Sequence, residues 1–128
     1  MAPQLKLLFV EDEPDICTIV ALALGRDCDF SLTTYASGVE ALKDIERSGH
    51  SFDFALLNMR LPSMTGIELH EKLRQLPQLS GLRTAIITAG VRPHEVEAYE
   101  RPGIVGVIAK PFDPHGLRDR VRMLVAGR

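Results

Sequence analysis

Short apolar runs alternate with amphipathic helical patterns along this whole chain, and that alternation restricts the fold more than any other feature. The first run, Leu5–Val10, is almost continuously apolar, as expected of a strand buried on both faces. Glu11-Asp12-Glu13 breaks it, and Pro14 stands where a first helical turn accepts proline. Ile16, Ile19, Val20, Ala23 and Leu24 then recur at the spacing of one helix face. Phe30–Tyr35 reads as a second strand, and Ser37 as the N-cap of a helix carrying Val39, Leu42 and Ile45 inward. Residues 52–57 form the third strand candidate, ending at Asn58. Thr65-Gly66-Ile67-Glu68 fits a capping box, and Leu69, Leu73 and Leu76 give the helix it opens a stripe that Pro77 stops. Residues 84–88 read as a fourth strand, 93–100 as a short helix and Ile104–Ala109 as a fifth strand. Asp113-Pro114 is a cap followed by a first-turn proline, opening a last helix with Leu117, Val121, Leu124 and Val125 at helical spacing.

Regular alternation of strand and helix implies a parallel sheet covered by helices on both faces. The expected class is therefore α/β, a doubly wound five-stranded parallel sheet. Right-handed crossovers leave few topologies, and the flavodoxin-like order 2-1-3-4-5 is adopted from known doubly wound proteins of this kind. In that order ligands bind beyond the strand C-termini, where strands 1 and 3 part. The chain has 128 residues, the size of one domain spanning 1–128, with no repeat, linker or low-complexity tract. With 45% hydrophobic and 25% charged residues it needs neither disulfide nor structural metal to build a core.

Several function classes drop out. A net charge of −2, from 15 basic and 17 acidic residues, provides no general nucleic-acid footprint. Arg118, Arg120 and Arg122 alternate around the last helix with Asp119 among them, which fits a solvated face. Cys17 and Cys28 form no metal spacing, and Cys17 reads as a buried, inert thiol. His50, His70, His94 and His115 are scattered without ligand spacing and are expected to be solvated. No signal peptide or membrane-length apolar run is visible, so the cytoplasm is the expected compartment.

The polar residues at the strand ends are more informative. In the expected order, Glu11, Asp12 and Asn58 meet at the ends of strands 1 and 3, and Thr88 and Lys110 join them from strands 4 and 5. Two carboxylates beside a carboxamide suit a hard cation such as Mg²⁺. A lysine and a hydroxyl opposite them suit phosphoryl oxygens. The same residues carry a resemblance. Leu-Leu-Phe-Val-Glu-Asp-Glu-Pro at 7–14, the stretch 52–66 with its Pro-x-Met-x-Gly loop, Ile-Ile-Thr-Ala at 86–89 and Ala-Lys-Pro-Phe at 109–112 together resemble the motifs of response-regulator receiver domains. The resemblance covers essentially the whole chain.

It implies a role in a two-component or phosphorelay pathway, with a sensor histidine kinase or phosphotransfer protein as partner. Carried over by position, Glu11 and Asp12 match the acidic pair, with Asp12 the direct Mg²⁺ ligand. Arg60 matches the residue whose backbone carbonyl binds the metal, Thr88 the switch hydroxyl, Ala89 the small residue beside it and Lys110 the phosphoryl-binding lysine. The Lys110–Pro111 peptide is expected to be cis. A downstream target or a homodimer would use the face of the fourth helix, fifth strand and fifth helix, including Glu95, Tyr99, Arg118 and Arg122. No nucleic acid or membrane partner is expected.

Two positions depart from the family pattern. Asn58 stands where the phosphoacceptor aspartate belongs, and a carboxamide has no anionic oxygen to attack phosphorus. Its Mg²⁺ site should be weakened for the same reason. Val107 replaces the Tyr or Phe that moves with the switch threonine. Asn58 is open to three explanations: a natural degenerate receiver, a deliberate replacement of aspartate to block phosphorylation, or a different binding site. A phosphorylation-independent interaction module on the same fold is the rival function. A flavin carrier is a third, disfavoured by a Glu-Asp-Glu loop that would repel the cofactor's phosphate.

Overall fold

The computed structural model describes residues 4–25, 29–90 and 97–127. Its elements run β1 (Leu5–Val10), α1 (Pro14–Leu24), β2 (Phe30–Tyr35), α2 (Gly38–Ser48), β3 (Phe54–Asn58), two two-residue strands β4 (Arg60–Leu61) and β5 (Met64–Thr65), α3 (Gly66–Arg74), β6 (Arg83–Thr88), β7 (Ile104–Ala109) and α4 (Pro114–Ala126). The five long strands form one sheet in the order β2-β1-β3-β6-β7, every neighbouring pair parallel. Counting only those strands, this is the expected 2-1-3-4-5. Half of the helix expected over 93–100, residues 93–96, lies outside the described residues, as does Cys28 and, within that half, His94 and Glu95.

The central strands are apolar on both faces because both are covered. Leu8 and Val10 of β1 join Ala55 and Leu57 of β3 and Ile86 of β6 in a core that includes Ala41 and Ile45 of α2 and Leu69 and Leu73 of α3. The alternate residues Leu7, Phe9, Phe54, Leu56, Ala85 and Ile87 build a second core with Val20, Ala23 and Leu24 of α1 and Leu117 and Val121 of α4. Burying a large aliphatic side chain contributes about 1.5–3 kcal/mol, so the period-2 split fixes which side each helix must cover. Among the described residues no helix is long and apolar enough to cross a membrane.

The local signals act as expected at the helix starts. Ser37 accepts a hydrogen bond from the Glu40 amide, Thr65 and Glu68 complete a reciprocal capping box, and the Asp113 side chain accepts from the Gly116 amide. β3 is displaced from the expected 52–57, because Asp53 is used before the strand begins: its carboxylate accepts from the Lys6 amide at 2.7 Å. The inward face of α2 also differs from expectation. Gly38, Ala41 and Ile45 are buried, while Val39 is 42% exposed and Leu42 only partly covered. The helix is turned so that its smallest residue meets Met64, whose sulfur would lie 2.5 Å from a Cβ at Gly38.

His70 is a clear correction, since it is 1% exposed instead of solvated. One ring nitrogen lies 2.7 Å from the Thr84 hydroxyl and the other 2.8 Å from the Pro102 carbonyl. A carbonyl can only accept, so Nε2–H donates to Pro102 and Nδ1 accepts from Thr84 in the neutral ring. Burial pushes its pKa below the ordinary 6.5; the Pro102 bond and Glu71 pull it up, and Arg74 pushes it further down. The stability this neutral ring supplies is therefore complete above about pH 6.5 and lost as pH falls through the lower folded value. Denaturant midpoints measured from pH 7.5 to 5 should fall more steeply for the parent protein than for His70→Gln. Parallel profiles would show that protonation of His70 is not linked to unfolding.

Candidate functional site

Parallel strands deliver their C-terminal residues to one rim. β1 and β3 pair Val10 with Leu57, so the next residues, Glu11 and Asn58, emerge side by side. β6 ends at Thr88, which pairs with Ala109 of β7, and Lys110 follows. The Lys110 backbone amide donates to the Thr88 carbonyl at 2.8 Å, and the Lys110–Pro111 peptide is cis. Glu11, Asn58 and Thr88 are all buried, and Asp12 is exposed at the mouth.

The Asn58 side chain is the hub. Its Nδ2 donates to Glu11 Oε2 at 2.7 Å and to the Arg60 carbonyl at 2.9 Å, with Asp12 Oδ1 at 3.4 Å. Its Oδ1 accepts from Lys110 Nζ at 3.3 Å. The opposite amide orientation would set an oxygen against carboxylates and an NH₂ against an ammonium, so the chemistry fixes this one. Lys110 Nζ also lies 3.2 Å from Glu11 Oε1 and 3.9 Å from Glu13. Burial raises the Glu11 pKa and Lys110 works against that rise. A buried carboxylate without partners would cost several kcal/mol, and Lys110 together with the Asn58, Asp12 and Glu13 N–H groups offsets that cost.

The loop after Asn58 is held close by a glycine. The Gly66 amide donates to the Met59 carbonyl at 2.8 Å, and a Cβ at Gly66 would come within 2.5 Å of the Asn58 carbonyl oxygen. Gly66→Ala should therefore push the Arg60 carbonyl off Asn58 and lower the melting temperature, which a thermal scan would read. Thr88 reaches the rim but points elsewhere: its hydroxyl donates to the Gly90 carbonyl at 3.0 Å. Cys17 is half-buried, with its Sγ 3.5 Å from the Glu11 carbonyl. Burial, then the Glu11 and Asp12 charges, push its thiol pKa up, in keeping with an inert thiol.

The family model described as "Response regulator receiver domain" matches residues 7–122. The chain belongs to the response regulator receiver family. This receiver is 30% identical to chemotaxis protein CheY-3 of Vibrio cholerae over 118 residues, covering 91% of this chain and 88% of that one. It is 28% identical to chemotaxis protein CheY of Pseudomonas aeruginosa, covering 94% and 95%. Response regulator Rre1 of Synechocystis is 29% identical, and there the chain spans 54% of the relative's length. Among solved structures, the chemotaxis response regulator CheY4 of Vibrio cholerae superposes with a TM-score of 0.82 at 25% identity, covering 95% of this chain and 99% of that one. A response regulator from Chloroflexus aurantiacus gives 0.81 at 28% identity, covering 98% and 100%.

The receiver thus carries asparagine at the position where the family accepts phosphate. Members of the family bind Mg²⁺ in this acidic pocket, and the donors expected for it are present: Glu11, Asp12 and the Arg60 carbonyl. They converge, however, on the Asn58 amide nitrogen, and the side-chain oxygen of residue 58 faces Lys110 instead. As arranged, the pocket does not fit a divalent cation unless that amide turns away. Among the described residues no group of three or more His, Cys, Asp or Glu side chains is placed to hold a metal. The loop after β1 is equally closed to a flavin phosphate, because the Asp12 and Glu13 amides donate to Glu11 Oε2 at 3.2 and 3.3 Å. Asp12, Thr88, Lys110 and Asn58 were all legible from strand-end position; the bond from Asn58 to the Arg60 carbonyl was not.

Proposed function

We propose that residues 1–128 act as a non-phosphorylatable receiver in a two-component or phosphorelay pathway. It would be met by a sensor histidine kinase or phosphotransfer protein and read out through protein contact. The observation that carries this reading is a carboxamide at the phosphoacceptor position, seated between an acid pair and a lysine. Glu11, Asp12 and the Arg60 carbonyl form the cation side of the proposed site, and Thr88 and Lys110 the phosphoryl side. Mg²⁺, the cofactor the family resemblance implies, would bind only feebly, because the Asn58 amide must first release Glu11 and the Arg60 carbonyl. The likeness to chemotaxis proteins and to Rre1 supports the pathway class. The test is uptake of phosphate by Asn58→Asp from a small phosphodonor, with the parent chain taking up none at that position.

A second reading, an interaction module indifferent to phosphorylation, is favoured by how completely the Asn58 side chain is bonded within the pocket. The two separate on partner binding: a receiver's partner should distinguish phosphorylated Asn58→Asp from the parent chain, and a module's partner should not.

The proposed docking face is the β7 edge of the sheet together with α4, with a revised set of residues. Glu95 lies outside the described residues, and Tyr99 is 8% exposed, packed in the core. Arg122 turns toward β2, pairing with Asp29 at 3.0 Å and lying 5.4 Å from the Phe30 ring centroid. Arg118 remains, joined by Met123, which is 67% exposed, and by Val105 beside it. Chemical-shift mapping with a partner, or across a dilution series for a homodimer, should light up β7 and α4. Changes confined to α2 and α3 would contradict the assignment.

A further inference from the structure

The groups expected to grip a cation are not left facing one another. The Asn58 Nδ2 has two protons; they go to Glu11 Oε2 at 2.7 Å and the Arg60 carbonyl at 2.9 Å, and Asp12 Oδ1 lies 3.4 Å away. Those are the three groups that the family resemblance assigns to the cation. The amide nitrogen, the positive end of the carboxamide dipole, therefore stands at their common focus. Charge is balanced to match. With aspartate at 58 the buried cluster of Glu11, residue 58 and Lys110 would carry a net negative charge, whereas with Asn58 the Glu11–Lys110 pair at 3.2 Å is neutral by itself. Asp12, the remaining acid, is exposed, where water screens it.

We infer that the Asn58 carboxamide substitutes for the divalent cation, so that this pocket keeps its folded arrangement without metal. The inference rests on the receiver reading of the pocket and specifies its regulation: the domain is held in one state that neither phosphate nor Mg²⁺ supply controls. A partner would then meet a constant surface.

Thermal melts of the full chain in EDTA and in 10 mM MgCl₂ at matched ionic strength test this, with Mg²⁺ alone as the probe. The parent protein should melt within about 1 °C in the two buffers, since a ligand that must displace an internal partner adds little stability. Asn58→Ala removes the amide and the hydrogen bonds it donates to Glu11, the Arg60 carbonyl and Asp12. It should melt lower in EDTA and recover by several degrees in Mg²⁺, as should Asn58→Asp. The Asn58 side-chain amide signal of the parent should be protected from exchange and unmoved by Mg²⁺. Stabilisation of the parent by Mg²⁺ as large as that of Asn58→Asp, or an Asn58→Ala variant as stable as the parent in EDTA, would overturn the inference. If Asn58→Ala does not fold, Asn58→Asp and the amide signal decide. A parent that gains fully from Mg²⁺ while Asn58→Asp accepts phosphate removes this inference and leaves the receiver reading. A parent indifferent to Mg²⁺ whose Asn58→Asp variant folds yet takes up no phosphate removes the receiver reading and the regulatory role with it, and leaves only the amide's hold on the pocket.

Discussion

Asn58→Asp should take up phosphate from acetyl phosphate in the presence of Mg²⁺, and the parent chain should take up none at position 58. Phosphoryl transfer of this kind depends on an anionic oxygen held in line and on charges placed around the transferring group. Lys110, Glu11 and the Arg60 carbonyl are already in position: Lys110 Nζ lies 3.3 Å from the side-chain oxygen of residue 58, and Glu11 and the Arg60 carbonyl are within 3 Å of its other terminal atom. The substitution exchanges NH₂ for O⁻ at nearly constant shape, so the nucleophile is restored without rebuilding the loop. Mass spectrometry should show a labile adduct of about 80 Da. Adding Lys110→Ala to that variant should slow uptake by roughly 100-fold, the cost usually seen when one group stabilising transition-state charge is removed. Thr88 must leave Gly90 to reach the phosphoryl group, so Thr88→Ala should slow uptake less than loss of Lys110. A variant that folds yet takes up no phosphate would move the reading to the interaction module; an adduct at residue 58 of the parent would refute both.

Mg²⁺ should bind Asn58→Asp far more tightly than the parent. The exchange adds one negative charge beside the ion, worth ~1 kcal/mol at ~4 Å in water and ~4 kcal/mol at an effective dielectric of 20. Each ~1.4 kcal/mol is tenfold in affinity, so charge alone gives a few-fold to about a thousandfold. The geometry places the difference toward the upper end. In the parent the amide must release Glu11 and the Arg60 carbonyl before an ion can reach them, and its NH₂ would then face the Lys110 ammonium. Titration calorimetry on the two proteins reads the ratio directly, and equal affinities would contradict the account. Together with the melting experiment this separates two effects, how tightly the ion binds and whether the pocket needs it.

The succession of five strands along the chain, the start of each described α-helix and the identity of the rim residues were legible in the sequence because each is encoded over a few neighbouring residues, whereas the order of the strands in the sheet was adopted from known doubly wound proteins and is settled by the pairing itself. Leu5–Val10 declares a doubly covered strand by its unbroken apolarity, and Thr65 with Glu68 declares a helix start by reciprocal capping. Asn58 was conspicuous for the same reason, as one polar residue closing an apolar strand before a Pro-x-Met-x-Gly loop. What only the tertiary structure decided depends on groups far apart along the chain. Asn58 meets Glu11 across 47 residues and Lys110 across 52, and only that meeting determines which way its amide points. His70 looks like any polar helix residue until Thr84 and Pro102 close over it, 14 and 32 residues away. Val39 fits an inward stripe by spacing, yet Gly38 and Ala41 take that side because Met64 needs the room. Periodicity and capping are local and survive in the sequence; the orientation of a buried polar group is set by whichever partners the packed chain brings to it.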